Sequence, residues 1–303
     1  MAASAVKGVA PATPGDAPLE TGDIQGLLAS GYAKRLPSAA YLLLEIVDAA
    51  AARAWLAGLE VTDADQARAS DLASAVQVAF TRPGLETLGL GRAAIKTFSR
   101  EFQEGMATEQ RGCILGDDGD LASTGWEWGG PATAPLHVLL MLFARAGELP
   151  ALYESQRRGW QGACREHRRL DSTCLPGDKE HFGFHDGIAQ PGVRGLSEDT
   201  TGDPTNAGEF VLGYRNEYDM YPDSPSIPAG DAGSEGLGPG REAGTKDLGR
   251  NGSYLVFRQL EQDVAGFWGF LKERAGGRAQ EAVWLGAKMV GRWPNGAPLS
   301  LFP

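Results

Sequence analysis

Residues 41–59 read YLLLEIVDAAAARAWLAGL. The apolar run from Tyr41 to Val47 predicts a strand. Asp48 follows it with a short carboxylate suited to accept from the free N–H groups of a helix start. In the residues after it, Ala52, Trp55, Leu56 and Leu59 fall on one helical face. A strand running directly into an amphipathic helix predicts a chain that packs helices on a sheet. SAVQVAF (74–80) alternates small or polar with apolar residues and predicts a second strand, after which Pro83 and Gly84 open a short helix through Leu90. HVLLMLFA (137–144), flanked by Pro135 and Gly147, has the length of a buried strand. The charged stretch YESQRRGWQGACREHRRL (153–170) predicts a solvated helix or loop. GEFVLGY (208–214) and NGSYLVFRQL (251–260) predict two strands, with a long Gly/Pro-rich connection between Pro222 and Gly249. Asp263 then caps a helix in which Val264, Phe267, Trp268 and Leu271 repeat at helical spacing, and Gly276 stops it. The whole predicts an α+β chain of the split βαβ kind, with two such units joined near 150–180.

The 303 residues carry 28 Lys and Arg against 39 Asp and Glu, a formal charge of -11. That balance repels phosphate backbones and anionic lipid surfaces, so neither nucleic acid nor membrane is an expected partner. Cys113, Cys164 and Cys174 have neither CxxC spacing nor the even count of a disulfide framework, which predicts reduced thiols and a cytoplasmic setting. The opening residues, MAASAVKGVAPATPGDAPLE, have no signal-peptide core, and their Ala, Pro and Gly content predicts a mobile tail over 1–22.

Residues 181–195, HFGFHDGIAQPGVRG, place Asp186 beside His185 between glycines at 183 and 187. Asp186-Gly187 is a good turn dipeptide, and Pro191-Gly192 would close such a loop. In extended backbone, neighbours point to opposite faces, so His185 and Asp186 are not expected to share a cavity. A metal site from His181, His185 and Asp186 is weak for the same reason. His137 is expected in the core or at a strand edge, and His167 on a solvated face. GLGPGREAG (236–244) lacks the strand and helix that a phosphate-cradling loop needs. Asn251-Gly252-Ser253 fits a glycosylation sequon, which matters only in an exported chain.

DIQGLL (23–28), VQVAFTRPGLETLGL (76–90), GFHDGIAQP (183–191), GEFVLGYRNEY (208–218) and NGSYLVFRQLEQD (251–263) occur in this order. Together they resemble the dye-decolorizing peroxidases, haem enzymes marked by a G-x-x-D-G motif. The resemblance implies two ferredoxin-like units with antiparallel sheets and packed helices, an N-terminal one over 23–175 and a haem-side one over 176–303 that is cut short. It implies haem b in the complete protein, hydrogen peroxide and an organic (dye or phenolic) reductant as reactants, and a homo-oligomer. By the motif, Asp186 would be the distal acid-base residue, and the backbone of Gly187, Ile188 and Ala189 would run against the haem. A carboxylate there could take a proton from the inner peroxide oxygen and return it to the leaving one. Small residues at 183 and 187 would let backbone approach a flat ring.

The sequence departs from the family where the proximal histidine and distal arginine would follow GAKMVGRWPNGAPL (286–299). No histidine occurs after His185, and Arg258, Arg274, Arg278 and Arg292 stand elsewhere, where solvent-facing or packing roles are expected. The apolar ending Leu299, Leu301, Phe302 and Pro303 is the ending expected of a truncated chain. The alternative expectation is a non-catalytic truncated relative that binds porphyrin or oligomerises.

Overall fold

Asp48 ends one element and starts the next. Its Oδ1 accepts from the N–H groups of Ala50 (2.9 Å) and Ala51 (3.0 Å), between β1 (Ser38–Ile46) and α1 (Ala49–Ala57), whose Ala52 and Trp55 are buried. The computed structural model describes residues 18–188, 190–197 and 203–303; residues 1–17 of the expected tail lie outside them.

β2 (Ser74–Phe80), β3 (Val138–Ala144), α2 (Leu149–Trp160) and β4 (Cys164–Thr173) complete a four-stranded sheet of order β2-β3-β1-β4. β3 runs antiparallel to both neighbours, with Ala144 opposite Ser38 on one side and Ser74 on the other. Two strand–helix–strand crossovers interleaved in this order make a ferredoxin-like split βαβ unit, so the chain is α+β. The central strand explains its own unbroken apolar sequence. Val138, Leu140 and Leu142 pack under α1 and α2 with Leu42, Leu44, Trp55 and Trp160, whereas Met141 and Phe143 pack on the opposite face with Tyr32 and Leu36. A strand covered on both faces has no polar side to alternate with.

β4 differs from the expectation of a solvated helix or loop through residue 170. Only α2 is helical; Cys164–Thr173 pairs beside β1 as an edge strand. Edge strands carry charge, which hides their alternation. On β1, Glu45 Oε2 meets Arg165 Nη1 at 3.2 Å and His167 Nε2 at 2.8 Å, so His167 is half-buried in an ion-paired cluster.

The two strands expected at 208–214 and 251–260 also differ. Residues 207–211 close on themselves, Val211 N–H donating to Ala207 O (2.8 Å), and no strand is assigned to either run. Their backbones meet in a reciprocal pair, Leu212 N–H to Gly252 O (2.9 Å) and Asn251 N–H to Leu212 O (3.1 Å), beside which Ser253 Oγ donates to Phe210 O at 2.6 Å. No ladder grows from it, because Asn251 is left-handed at φ 65° and turns the chain away. Its side chain holds that turn: Nδ2 donates to Glu20 and Asp23, both at 2.7 Å, and Oδ1 accepts from the Tyr214 hydroxyl at 2.7 Å. With its amide consumed and the residue buried, the sequon is closed to a glycan. The Gly/Pro-rich connection carries a short antiparallel ribbon, β5 (Ser226–Pro228) and β6 (Thr245–Asp247).

The chain packs as two units. The first comprises the described residues through Ser172 together with Gly192–Leu255; the second comprises Thr173–Pro191 and Val256–Pro303. This division differs from a single boundary at 175–176, because Val193, Leu196, Ala207, Val211 and Tyr214 pack with Ile24 and Ala64. In the second unit, α3 (Val264–Arg274) begins at Asp263 as expected, Asp263 Oδ1 accepting from Gly266 N–H at 2.7 Å, and α4 (Ala279–Val290) follows. Leu271, Ala275 and Ala282 form its buried centre, while Val256, Leu260, Met289, Leu301 and Phe302 are exposed. Among the described residues no helix is long and apolar enough to cross a membrane.

Candidate active site

The loop 178–188 belongs wholly to the second unit and is built around Glu180. Glu180 N–H donates to Phe184 O (3.0 Å), and Gly183 N–H donates to Glu180 O (2.9 Å). The Glu180 carboxylate then accepts from two backbone donors of the same turn, Phe182 N–H at 2.7 Å on Oε2 and Phe184 N–H at 2.8 Å on Oε1. Gly183 lies at φ 92°, a conformation open to glycine.

Two phenylalanines anchor this turn to α3. Phe184 is buried and stacks on Trp268, with ring centroids 6.0 Å apart and planes 6° from parallel; Phe182 meets Phe267 edge-on at 5.0 Å. Trp268 Nε1–H donates to Phe182 O at 3.0 Å. α4 approaches the same cluster through Gly286, where an added Cβ would lie 3.2 Å from Leu271 Cδ1 and 3.3 Å from Phe184 Cζ.

Beyond Phe184 the backbone is held on two sides. His185 N–H donates to Pro294 O (3.2 Å) and Asp186 N–H to Asp178 O (2.8 Å), Asp178 itself adopting a left-handed φ of 53°. His185 and Asp186 differ in burial. His185 is half-buried, and an added Cβ at Gly296 would lie 3.4 Å from its Cβ. Asp186 is exposed, and its Oδ1 accepts from the N–H of Gly187 at 2.7 Å. Gly187 lies at φ 72°, and among the described residues nothing stands within 4 Å of where a Cβ would project at Gly183 or Gly187. Ile188 is exposed beside them. Asp186, Gly187 and Ile188 thus share one open loop, while Ala189 lies outside the described residues. Glu180 was not singled out in the sequence; its signal was an acid two residues before Phe182 and four before Phe184.

His137 and Cys164 lie in the core. His137 is buried, and its Nδ1 accepts from Ile46 N–H at 3.0 Å; burial pushes its pKa below the usual histidine value. Burial pushes the Cys164 thiol up to about 11, while Cys113 and Cys174 are exposed. Among the described residues no group of three or more His, Cys, Asp and Glu side chains could hold a metal ion. Arg274 lies over the Phe270 ring at 5.2 Å, Arg278 pairs with Glu281, and Arg292 Nη1 donates to Gly296 O at 2.9 Å. An apolar groove of about 350 Å³ along α3 and α4, lined by Phe270, Leu271, Leu285 and Met289 among others, includes no residue of the 178–188 loop.

No family model matches the chain. Individual proteins do. The chain is 30% identical over 298 residues to dye-decolorizing peroxidase msp1 of Mycetinis scorodonius, a match covering 93% of the chain and 52% of that protein. It is 30% identical over 305 residues to a dye-decolorizing peroxidase of Exidia glandulosa, covering 94% of the chain and 53% of that protein. The crystal structure of a decolorizing peroxidase from Auricularia auricula-judae superposes with a TM-score of 0.73 at 26% identity, covering 94% of the chain and 59% of that structure. The chain spans about half the length of the curated relatives it matches. By this likeness in both sequence and fold, the chain belongs to the dye-decolorizing peroxidase family.

Proposed function

We propose that the protein is a haem-dependent peroxidase, reducing hydrogen peroxide and oxidising an organic reductant of the dye or phenolic class, with Asp186 as its acid-base residue. Likeness to peroxidases along 93% of the chain supports the reaction class. The observation that carries the residue assignment is the exposed Asp186 carboxylate on a pinned loop, with unobstructed glycine backbone on either side.

Two features bear on whether haem suits this loop. The open space at Gly183 and Gly187 leaves room for a flat ring to approach the backbone. Among the described residues no three or more His, Cys, Asp and Glu side chains gather at this loop as a metal-binding group, which suits a carboxylate acting beside a cofactor better than one caging a bare ion. The loop fits one face of a haem on both counts, with Gly187 and Ile188 as the described backbone against it. His185 is not offered as an iron ligand, since its side chain lies against Gly296.

Haem, when bound, supplies the iron at which peroxide is cleaved. The chain's own part is proton transfer. Asp186 Oδ1 accepts from Gly187 N–H, which anchors one carboxylate oxygen; Oδ2 would take a proton from the inner peroxide oxygen and deliver it to the outer, leaving oxygen. The test uses the 303 residues and the complete product of the gene, each reconstituted with haem. Asp186→Asn is expected to keep the Soret absorbance and to slow peroxide-dependent dye oxidation by roughly 10²–10⁴-fold, the usual worth of a positioned acid-base group. Absence of haem binding in both forms, or an Asp186→Asn variant as fast as the parent, would sink the reading.

A further inference from the structure

We infer that Glu180 is a positioning residue for Asp186, a role that rests on the reading of Asp186 as the acid-base group. Both carboxylate oxygens of Glu180 are committed inside one turn, Oε2 to Phe182 N–H at 2.7 Å and Oε1 to Phe184 N–H at 2.8 Å. Each of the two donors, two residues apart, is met by its own carboxylate oxygen, an arrangement that a side chain with one acceptor oxygen does not reproduce. The same two residues carry the aromatic anchors, Phe182 on Phe267 and Phe184 on Trp268, and the Phe182 carbonyl accepts from the Trp268 indole. Glu180 therefore sets the backbone direction at the point where the loop leaves its anchor.

Asp186 sits two residues beyond that point. Its own backbone is tied to Asp178, two residues before Glu180, by the 2.8 Å bond from Asp186 N–H to Asp178 O, and Lys179 and His185 face each other as an antiparallel bridge. The loop is thus a closed ring of backbone contacts from 178 to 186 with the Glu180 carboxylate at its centre. Asp186 itself is exposed, and its carboxylate bonds to the N–H of Gly187 in the same loop, so its direction follows from the loop backbone. A carboxylate that must meet a reacting oxygen within hydrogen-bond reach loses rate when its support is loosened by even an ångström. Gln at position 180 retains one acceptor and Ala retains none, so the two variants should grade the effect.

The test compares Glu180→Ala, Glu180→Gln, Asp186→Asn and the Glu180→Ala/Asp186→Asn pair in the complete, haem-reconstituted gene product. Amide hydrogen exchange is read at Phe182 and Phe184, together with the rate and pH profile of peroxide consumption. Glu180→Ala is expected to lower protection at both amides by roughly tenfold or more while amides of the four-stranded sheet keep theirs. It is also expected to slow peroxide consumption at least about tenfold and to move the acid limb of the pH profile, with Glu180→Gln intermediate in both. In the Asp186→Asn background, Glu180→Ala should slow the reaction no further, because a positioning residue has nothing left to position. The inference is overturned if Glu180→Ala loses protection yet keeps the parent rate and pH profile, or if the two substitutions slow the reaction independently. If Asp186→Asn alone leaves the rate unchanged, the Asp186 reading falls and takes the positioning role with it. Retained protection in Glu180→Ala removes the Glu180 clamp alone.

Discussion

At the scale of single residues, burial separates groups that hold the fold from groups free to do chemistry. His137 is 8% exposed, and the lone pair of its Nδ1 is used by Ile46 N–H, so the folded protein requires a neutral ring. Burial pushes its pKa down from the ordinary 6.5. The unfolded chain therefore takes up a proton at a higher pH than the folded one. The stabilisation is complete above about pH 6.5 and is lost as pH falls through the depressed value. Urea unfolding from about pH 7.5 to about pH 5 is expected to show a falling midpoint below 6.5. His137→Ala should flatten that part of the curve and cost roughly 1–3 kcal/mol at neutral pH, because Ile46 N–H is left buried without its acceptor. Asp186 is the opposite case, an exposed carboxylate whose near contact is the backbone of its own turn.

At the scale of elements, glycine marks where one element must touch another. The short helix Arg82–Thr87 starts from Thr81, whose side chain accepts from Gly84 N–H, and a Cβ at Gly84 would stand 2.1 Å from the carbonyl oxygen of His137. In an exposed helix, Gly→Ala gains about 1 kcal/mol. Here the neighbour is backbone at the entrance to β3 and cannot step aside. Gly84→Ala is expected to lower stability by roughly 1–3 kcal/mol, the range for overpacking, measured as a fall in thermal midpoint. The same local physics decides which elements could be read without coordinates. β1, α1, β2, β3 and α3 declare themselves through apolar runs, periodicity and the caps Asp48 and Asp263. β4 does not, because Arg165, Glu166, His167, Arg168 and Arg169 are the residues that keep an edge strand from pairing further. The runs at 208–214 and 251–260 have strand composition, yet the left-handed Asn251 and the 207–211 turn stop them from building a ladder.

At the scale of the whole molecule, the two units differ in how much apolar surface they bury. The first holds a sheet packed on both faces, with Leu42, Leu44, Leu140 and Leu142 fully enclosed. The second, built on α3 and α4, has Leu271, Ala275 and Ala282 as its buried apolar cluster and leaves Phe270, Trp284 and Met289 exposed. Opening free energy follows buried contact. Native-state amide exchange of the 303-residue chain is expected to place the slowest amides in β1 and β3, with α3 and α4 exchanging at least about tenfold faster. Equal protection in both units would contradict this ranking.

Sequence alone determined the α+β class, the strand–helix succession at 41–59 and the cap of α3, because each follows from spacing along the chain and from the chemistry of neighbouring residues, whereas the candidacy of Asp186 came from the ordered motifs that resemble those of the dye-decolorizing peroxidases. Tertiary structure alone decided that 192–255 joins the first unit, that Cys164–Thr173 is a strand, that Asn251 is buried among Glu20, Asp23 and Tyr214, and that Glu180 clamps the loop carrying Asp186. The reason is common to these cases. Periodicity reports what faces a core, whereas a side chain bonded to backbone, or a charged edge paired across a sheet, leaves no period in the sequence and exists only once distant residues have met.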